Sequence, residues 1–458
     1  MVAVAQSRLK AAVVWTLLVV LHGQDILPVT TNRGLGGILT WGLNDGGQLQ
    51  FGDGVANTTT DQHSPTPLSK LPLSPITNTE VVVIDAAGGR KHTLLATEDG
   101  DVYAVGGNEH GQLGVGDLFD RPLLTLISTF RDAPGGLWNG VDVIASMGKQ
   151  NVIKVAAGEA HSAAITDAGK LWIWGSDDRG RLGLGCKPLP ESSLIDPWDD
   201  ITNFASPVRG YGANQLPGTQ EGSYRRVATD IAINCVNHGR KRVPHLVEGL
   251  AHTFTDSVAL GKHFSVALTG MCGADAFADG SCLPLDDTSD SIGNPLLNFV
   301  VGNELGSGAA LLLSQAGVDR CTCGQVWVWG SNEFGQLGLG DHLPRLQPTL
   351  ITSLSTIGVH VTSVAAGAYH VIALSSKGNV YTWGYNANGQ LGTGATRAQP
   401  LPVRVRKPEP GFLFVSGVAA GAYHSVMVSD RGDVYTFGSN RNGQLGNGEK
   451  DLLPHPTP

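Results

Sequence analysis

Apolar residues in this chain come in strand-length runs rather than at helical spacing. Asn379-Val380-Tyr381-Thr382-Trp383-Gly384 alternates polar and apolar positions, the period of a half-buried strand. Residues 418–428 and 433–437 alternate or run apolar, and Gly432 between them predicts a turn joining an antiparallel pair. The repeated units lack an apolar stripe of period 3.6, and glycine falls inside every element. Both features disfavour a helical solenoid.

Two phrases recur along the chain. One is an aromatic-Gly pair, a short polar turn and Gly-Gln-Leu-Gly. It appears at Trp41-Gly42 with Gly47-Gln48-Leu49, and at Gly106 with Gly111-Gln112-Leu113-Gly114. It returns at Trp174-Gly175 with Gly180-Arg181-Leu182-Gly183, and at Trp329-Gly330 with Gly335-Gln336-Leu337-Gly338. The last two copies are Trp383-Gly384 with Gly389-Gln390-Leu391-Gly392, and Phe437-Gly438 with Gly443-Gln444-Leu445-Gly446. The other phrase is Val-Ala-Ala-Gly-x-x-His and its variants, ending at His92, His161, His263, His370 and His424. Each unit reads as a small antiparallel sheet that cannot bury both faces alone. Stacking such sheets around an axis buries them against one another. The expected fold is therefore all-β, a β-propeller of about six to seven four-stranded blades.

Composition sharpens this picture. Glycine supplies 62 of the 458 residues, about twice the usual ~7%, as many tight turns require. Hydrophobic residues make up 41%, enough for a large core, and charged residues only 16%. The net charge of −9 argues against a nucleic-acid-coating protein, whose affinity would come from Lys and Arg.

The two phrases together resemble the regulator of chromosome condensation repeat, over about 36–54, 81–117, 152–185, 243–270, 324–358, 361–405 and 415–456. The resemblance implies a propeller, commonly seven-bladed. The first unit lacks its His, since the matching position holds Pro28, and Gln50 replaces its last turn glycine. At Pro454-His455-Pro456 the chain stops where a further unit would begin. Either the N-terminal segment completes the last blade or the ring is incomplete.

The repeated residues read as structural. Five equivalent histidines in separate blades cannot converge on one metal ion. They are expected to be fasteners whose ring nitrogens bond neighbouring backbone. In the Gly-Gln-Leu-Gly turns, glycine supplies positive φ, leucine plugs the gap between blades and glutamine bonds the turn backbone. No Lys-Ser/Thr follows at phosphate-loop spacing. Trp41, Trp174, Trp329 and Trp383 share one repeat position and Trp172 and Trp327 another, as blade-packing aromatics would. No catalytic, cofactor-binding or metal-binding residues are expected. The plant UV-B photoreceptors share this fold and carry Gly-Trp-Arg-His-Thr. The matching Gly89-Arg90-Lys91-His92-Thr93 has no Trp, so light sensing is rejected. The resemblance also implies a second activity, guanine-nucleotide exchange on a small Ras-like GTPase. Ser128 to Gly136 superficially resembles the wedge used there, but it follows a Gly-Gln-Leu-Gly turn rather than the Trp-Gly phrase. A loop insertion is the preferred reading.

Two insertions, about 187–242 and 271–323, enlarge a single propeller spanning 24–458. The first ends in the basic patch Gly239-Arg240-Lys241-Arg242, expected as a solvated loop or an acidic-partner contact. The second is acidic and holds Cys272, Cys282, Cys321 and Cys323, which allow three pairings and would staple its neck. Strand direction predicts that the two leave opposite rims. Residues 1–23 carry Arg8 and Lys10 before the apolar run 11–21, too short for a membrane span. That pattern fits a signal peptide and a secretory or extracellular location. The alternatives are a strand closing the propeller, and a cytoplasmic protein. Asn57-Thr58-Thr59 is a glycosylation sequon.

The sequence thus predicts a monomeric, non-enzymatic scaffold that presents loops to a protein partner. Nucleic acid is not expected as a partner, and a small GTPase is the alternative. Deleting 271–323 should leave thermal unfolding intact and abolish partner capture. Unchanged capture would overturn the role given to that loop.

Overall fold

The computed structural model describes residues 81–131, 148–185, 239–270, 324–406 and 414–458, with 2–3, 39–42, 44, 47–49, 62–67, 71–73, 78 and 80. They form six antiparallel sheets in chain order. The first holds β1 (Val2–Ala3), β2 (Leu39–Gly42) and β3 (Gln62–Pro67). The second holds β4 (Val83–Gly88), β5 (His92–Thr97), β6 (Val102–Gly106) and β7 (Arg121–Leu126). The third comprises β8 (Val152–Ala157), β9 (His161–Thr166), β10 (Leu171–Ser176) and β11 (Arg240–Leu246). The fourth comprises β12 (Thr255–Leu260), β13 (Phe264–Thr269), β14 (Gln325–Gly330) and β15 (Arg345–Leu350). The fifth has β16 (Val361–Ala366), β17 (His370–Ser375), β18 (Val380–Gly384) and β19 (Gln399–Arg404). The sixth has β20 (Val415–Ala420), β21 (His424–Ser429) and β22 (Val434–Gly438). His455 bridges Gly438 where an outer strand would run. The inner strands β4, β8, β12, β16 and β20 pack one against the next. This is the expected β-propeller architecture. Val2–Ala3 pair with Leu39–Thr40, so two residues of the expected signal segment stand in a strand. Residues 11–21 and all six cysteines lie outside the described residues.

Strand order fixes where the insertions leave. The first interrupts the chain between the third and outer strands of the third sheet, the other between the second and third strands of the fourth. Antiparallel order puts these gaps at opposite ends of the sheets. The basic triplet is corrected: Arg240, Lys241 and Arg242 belong to β11 rather than to a loop, with Lys241 opposite Gly175. Gly324 donates to the Gly270 carbonyl at 3.1 Å, so the second insertion hangs from a closed backbone neck.

Turn carbonyls help lock successive sheets together. The carbonyl of Gln112 accepts the Ser162 hydroxyl at 2.7 Å and the Trp174 indole N–H at 2.8 Å, both from the following sheet. The Arg181 carbonyl takes Ser265 at 2.7 Å and Trp329 at 2.9 Å. His92 Nε2 lies 2.8 Å from Ser162 Oγ, His161 Nε2 3.1 Å from Ser265 Oγ, and His370 Nε2 2.9 Å from Ser425 Oγ. Because each serine hydrogen is committed to a carbonyl, the imidazole Nε2–H donates. The histidines are fasteners as expected, but they reach a hydroxyl one sheet on rather than backbone.

The glycine three residues before each fastener is dictated by that ring: a Cβ on Gly89 would lie 2.3 Å from His92 Cε1. The last turn glycine seats the next sheet's aromatic: a Cβ on Gly338 (φ +67°) would lie 2.8 Å from Trp383 Nε1. Turns close through an Asn or Asp side chain, as in Leu113 N–H to Asn108 Oδ1 at 3.0 Å. The Gln112 side chain accepts the His110 N–H at 2.8 Å, the turn bond expected of glutamine.

The fastener series needs one correction. His263 is not its third member: Phe264 pairs with Gly330 as His92 pairs with Gly106 and His370 with Gly384. The following sheet matches the change, with Val371 where the others place Ser162, Ser265 or Ser425. One polar junction is thus replaced on both sides by an apolar one, which removes the imidazole and the serine hydroxyl together.

Burial pushes the His370 imidazole down to about 3, well below its usual value of 6.5. The unfolded chain then binds the proton first, and acid destabilises the fold between about pH 6.5 and 3, by about 1.4 kcal/mol per unit per ring. Replacing His370→Phe together with Ser425→Val copies the apolar junction. Denaturant unfolding should show that the double variant loses about 1.4 kcal/mol less per pH unit than the parent between pH 6 and 4. Identical slopes would refute the assignment. Gly338→Ala should cost about 2–4 kcal/mol, from strained backbone and the displaced indole, in the same measurement.

Candidate interaction face

The loops between inner and second strands, and those between third and outer strands, emerge at the same end of every sheet. The first kind carries the two residues before the fastener: Arg90-Lys91, Glu159-Ala160, Lys262-His263, Ala368-Tyr369 and Ala422-Tyr423. Their backbones link successive sheets: Arg90 N–H donates to Gly158 O at 3.2 Å, Lys262 N–H to Ala368 O at 3.1 Å, and Ala368 N–H to Ala422 O at 3.0 Å. The second kind carries the turn residues, among them Arg179, Phe334 and Tyr385.

Together these loops build an aromatic cluster over the fourth to sixth sheets. Tyr369, Tyr385 and Tyr423 form a triangle with ring centroids 6.2, 6.4 and 6.4 Å apart. Phe334 packs edge-on against Tyr369 at 5.1 Å and Tyr385 at 5.0 Å. Tyr423 is 39% exposed, and the other three rings are half-buried. Burial raises the Tyr385 and Tyr423 phenols above their ordinary value, so both stay neutral hydrogen-bonding groups. Lys262 Nζ stands 5.7 Å from the centroid of Tyr369, within cation–π range.

A charged strip borders the rings. Glu159 takes Arg90 at 2.6 Å and Lys262 at 3.6 Å. Burial disfavours the Lys262 charge, but Glu159 and Tyr369 outweigh it and raise its pKa. Arg179 pairs with Glu333. Arg181, in the place of glutamine, is buried and donates to Asp178 Oδ2 at 3.0 Å and to the Lys262 carbonyl at 2.9 Å. Burial, then Arg181, Arg179 and Lys262, push His263 down to about 2. It is neutral, so its 3.6 Å approach to Asp178 is not an ion pair.

The structure separates repeat residues from face residues. His92, His161 and His370 have no exposure and cannot touch a ligand. Trp174, Trp329 and Trp383 are equally enclosed. Trp41's side chain and Asn57 lie outside the described residues. The wedge-like segment begins as a single turn, Ser128–Phe130, whose phenyl ring packs at 5.9 Å from Trp172 and 6.0 Å from Trp174. Arg131 then pairs with buried Asp101. Residues 132–147 lie outside the described residues.

Comparison with known proteins agrees with this architecture. The regulator of chromosome condensation (RCC1) repeat pattern matches residues 99–165, 323–374, 377–428 and 431–458, and a second pattern of that repeat matches 83–112, 152–181, 361–390 and 415–444. The chain belongs to the RCC1-repeat family. It is 26% identical over 417 residues to the ultraviolet-B receptor UVR8 of Arabidopsis thaliana, covering 90% of this chain and 75% of that one. It is also 26% identical over 425 residues to the mouse regulator of chromosome condensation, covering 85% and 90%. The human E3 ubiquitin-protein ligase HERC2 matches at 27% over 374 residues, but that is 80% of this chain and 7% of the ligase. The crystal structure of human WBSCR16 superposes with TM-score 0.56 at 18% identity, covering 91% and 75%. That likeness speaks for the fold.

Removing Arg181's contacts should be costly because its guanidinium ties the turn of the third sheet to the face of the fourth. Arg181→Leu should lower stability by about 2–4 kcal/mol in denaturant unfolding, by leaving the Lys262 carbonyl and Asp178 without their donor. Arg181→Gln, the residue of the other turns, should lose less.

Proposed function

We propose that this RCC1-repeat protein is a non-enzymatic scaffold that docks a protein partner on the face built by Phe334, Tyr369, Tyr385, Tyr423 and Lys262. The supporting observation is the tyrosine triangle. Three rigid, partly exposed phenol rings with a cation beside them are the kind of anchor that dominates protein interfaces. The first insertion leaves the same end of the sheets as this face, and the second leaves the opposite end; both are proposed as further attachment points for partners. Targeting to the secretory pathway through residues 1–23, and a monomeric state, belong to the same proposal.

The experiment is affinity capture with mass spectrometry, using tagged protein with and without 1–23, beside a Tyr369→Ser/Tyr423→Ser variant. The variant should lose captured partner by at least about tenfold while its thermal midpoint stays within ~2 °C. Capture unaffected by the variant would overturn the assigned face. Nucleotide release from small GTPases, measured in parallel, tests the regulatory alternative. Robust acceleration by the parent would replace the scaffold reading with nucleotide exchange.

A further inference from the structure

The tyrosine triangle stands between two cations. On one side Lys262 hydrogen-bonds the Tyr369 phenol, and its charge also reaches Tyr423. On the other, Arg441 is exposed in the turn of the sixth sheet, and its charge acts on the Tyr385 phenol. The carboxylates bordering the rings are already engaged. Glu159 is shared by Arg90 at 2.6 Å and Lys262 at 3.6 Å, so two cations divide one anion. Glu333 pairs with Arg179, and Asp178 with Arg181 at 3.0 Å. Among these groups the balance is positive, in a chain whose net charge is −9.

That balance selects the charge of what docks there. An incoming ammonium or guanidinium would be repelled by Lys262 and Arg441, although aromatic faces alone would attract it. A carboxylate would find both as partners. An ammonium has donors only, so Lys262 donates to the Tyr369 oxygen, and the hydrogen of that phenol remains for an acceptor. The net charge of the chain opposes an anion at long range, so local cations must hold it.

We propose that the tyrosine face recognises an acidic segment of its protein partner, with carboxylates seated between Lys262 and Arg441 against the phenol hydroxyls. This rests on the docking face proposed above and adds the chemistry of its occupant. A competing basic surface is β11 of the third sheet, where Arg240 and Arg242 are exposed. The rings decide between the two, since the triangle lies over the fourth to sixth sheets and combines charge with rigid apolar area.

The test uses the full chain and a labelled hexaglutamate peptide, with hexaglutamine as the uncharged control. Fluorescence anisotropy should show saturable binding of the glutamate peptide alone, weakened at least about tenfold between about 0.05 and about 0.5 M salt. Lys262→Met and Arg441→Gln should each weaken it at least about fivefold, with thermal midpoints within ~2 °C of the parent. Arg240→Gln/Arg242→Gln should leave it unchanged. Absent binding, or equal binding of both peptides, overturns the proposal. So does binding that is lost with the β11 pair and kept in the other two variants. The same peptides separate this proposal from the docking face itself. Hexaglutamate, and not hexaglutamine, should elute the partner whose capture needs Tyr369 and Tyr423. A partner lost with Tyr369→Ser/Tyr423→Ser but kept by Lys262→Met/Arg441→Gln and untouched by hexaglutamate would leave the face standing and overturn its acidic occupant. A dimeric mass in sedimentation, dispersed by hexaglutamate, would assign the acidic segment to a second copy and overturn the partner assignment.

Discussion

The fold depends on a peptide carbonyl that accepts twice. At Gln112 and Arg181 the backbone oxygen takes a serine hydroxyl and an indole N–H from the following sheet. That oxygen is presented only because the flanking glycines hold left-handed backbone, and the second of them leaves room for the ring whose N–H arrives. With its hydrogen spent on the carbonyl, the serine oxygen can only accept from the imidazole, which fixes the Nε2–H tautomer. Glycine spacing and the recurrence of the turn within this chain trace to satisfying that buried acceptor.

Where the pattern breaks, it breaks in complementary pairs. Phe264 without a nitrogen faces Val371 without a hydroxyl, and the Gln336 carbonyl there keeps its Trp383 partner at 3.0 Å. At the preceding turn Asp177 and Arg181 replace the usual Asn and Gln. Burial pushes the Asp177 carboxyl up to about 7, although the Leu182 N–H bonds it. The Arg181 guanidinium reaches out of the turn instead of bonding within it, and so links the turn to the charged strip beside the tyrosines.

The architecture was legible because its determinants are local and repeated. Gly-Gln-Leu-Gly and Gly-x-x-His state the turn and the fastener in most copies. His263 was misplaced because the histidine was followed rather than the spacing: it stands two residues after Gly261, and the third position, where the other copies hold His, is Phe264. The serine partners were illegible for a different reason: the bond joins one repeat to the next, and nothing inside a single repeat announces it. The tyrosine face was missed because its members occupy two different loop positions on three sheets. Aligning the residue before each fastener, Lys91, Ala160, His263, Tyr369 and Tyr423, is the signal that would have exposed half of it. The turn positions of Phe334 and Tyr385 become neighbours only when the sheets fan around the axis.

The shut neck between Gly270 and Gly324 has an evolutionary corollary. Loop-closure entropy rises by only about 0.6 kcal/mol for each doubling of a flexible loop, and here the ends are already tied by the ladder itself. The propeller is therefore nearly blind to what is spliced between those two glycines. Such a site behaves as a tolerant port, where cargo of differing length or charge can be exchanged between descendants without renegotiating the junctions of the ring.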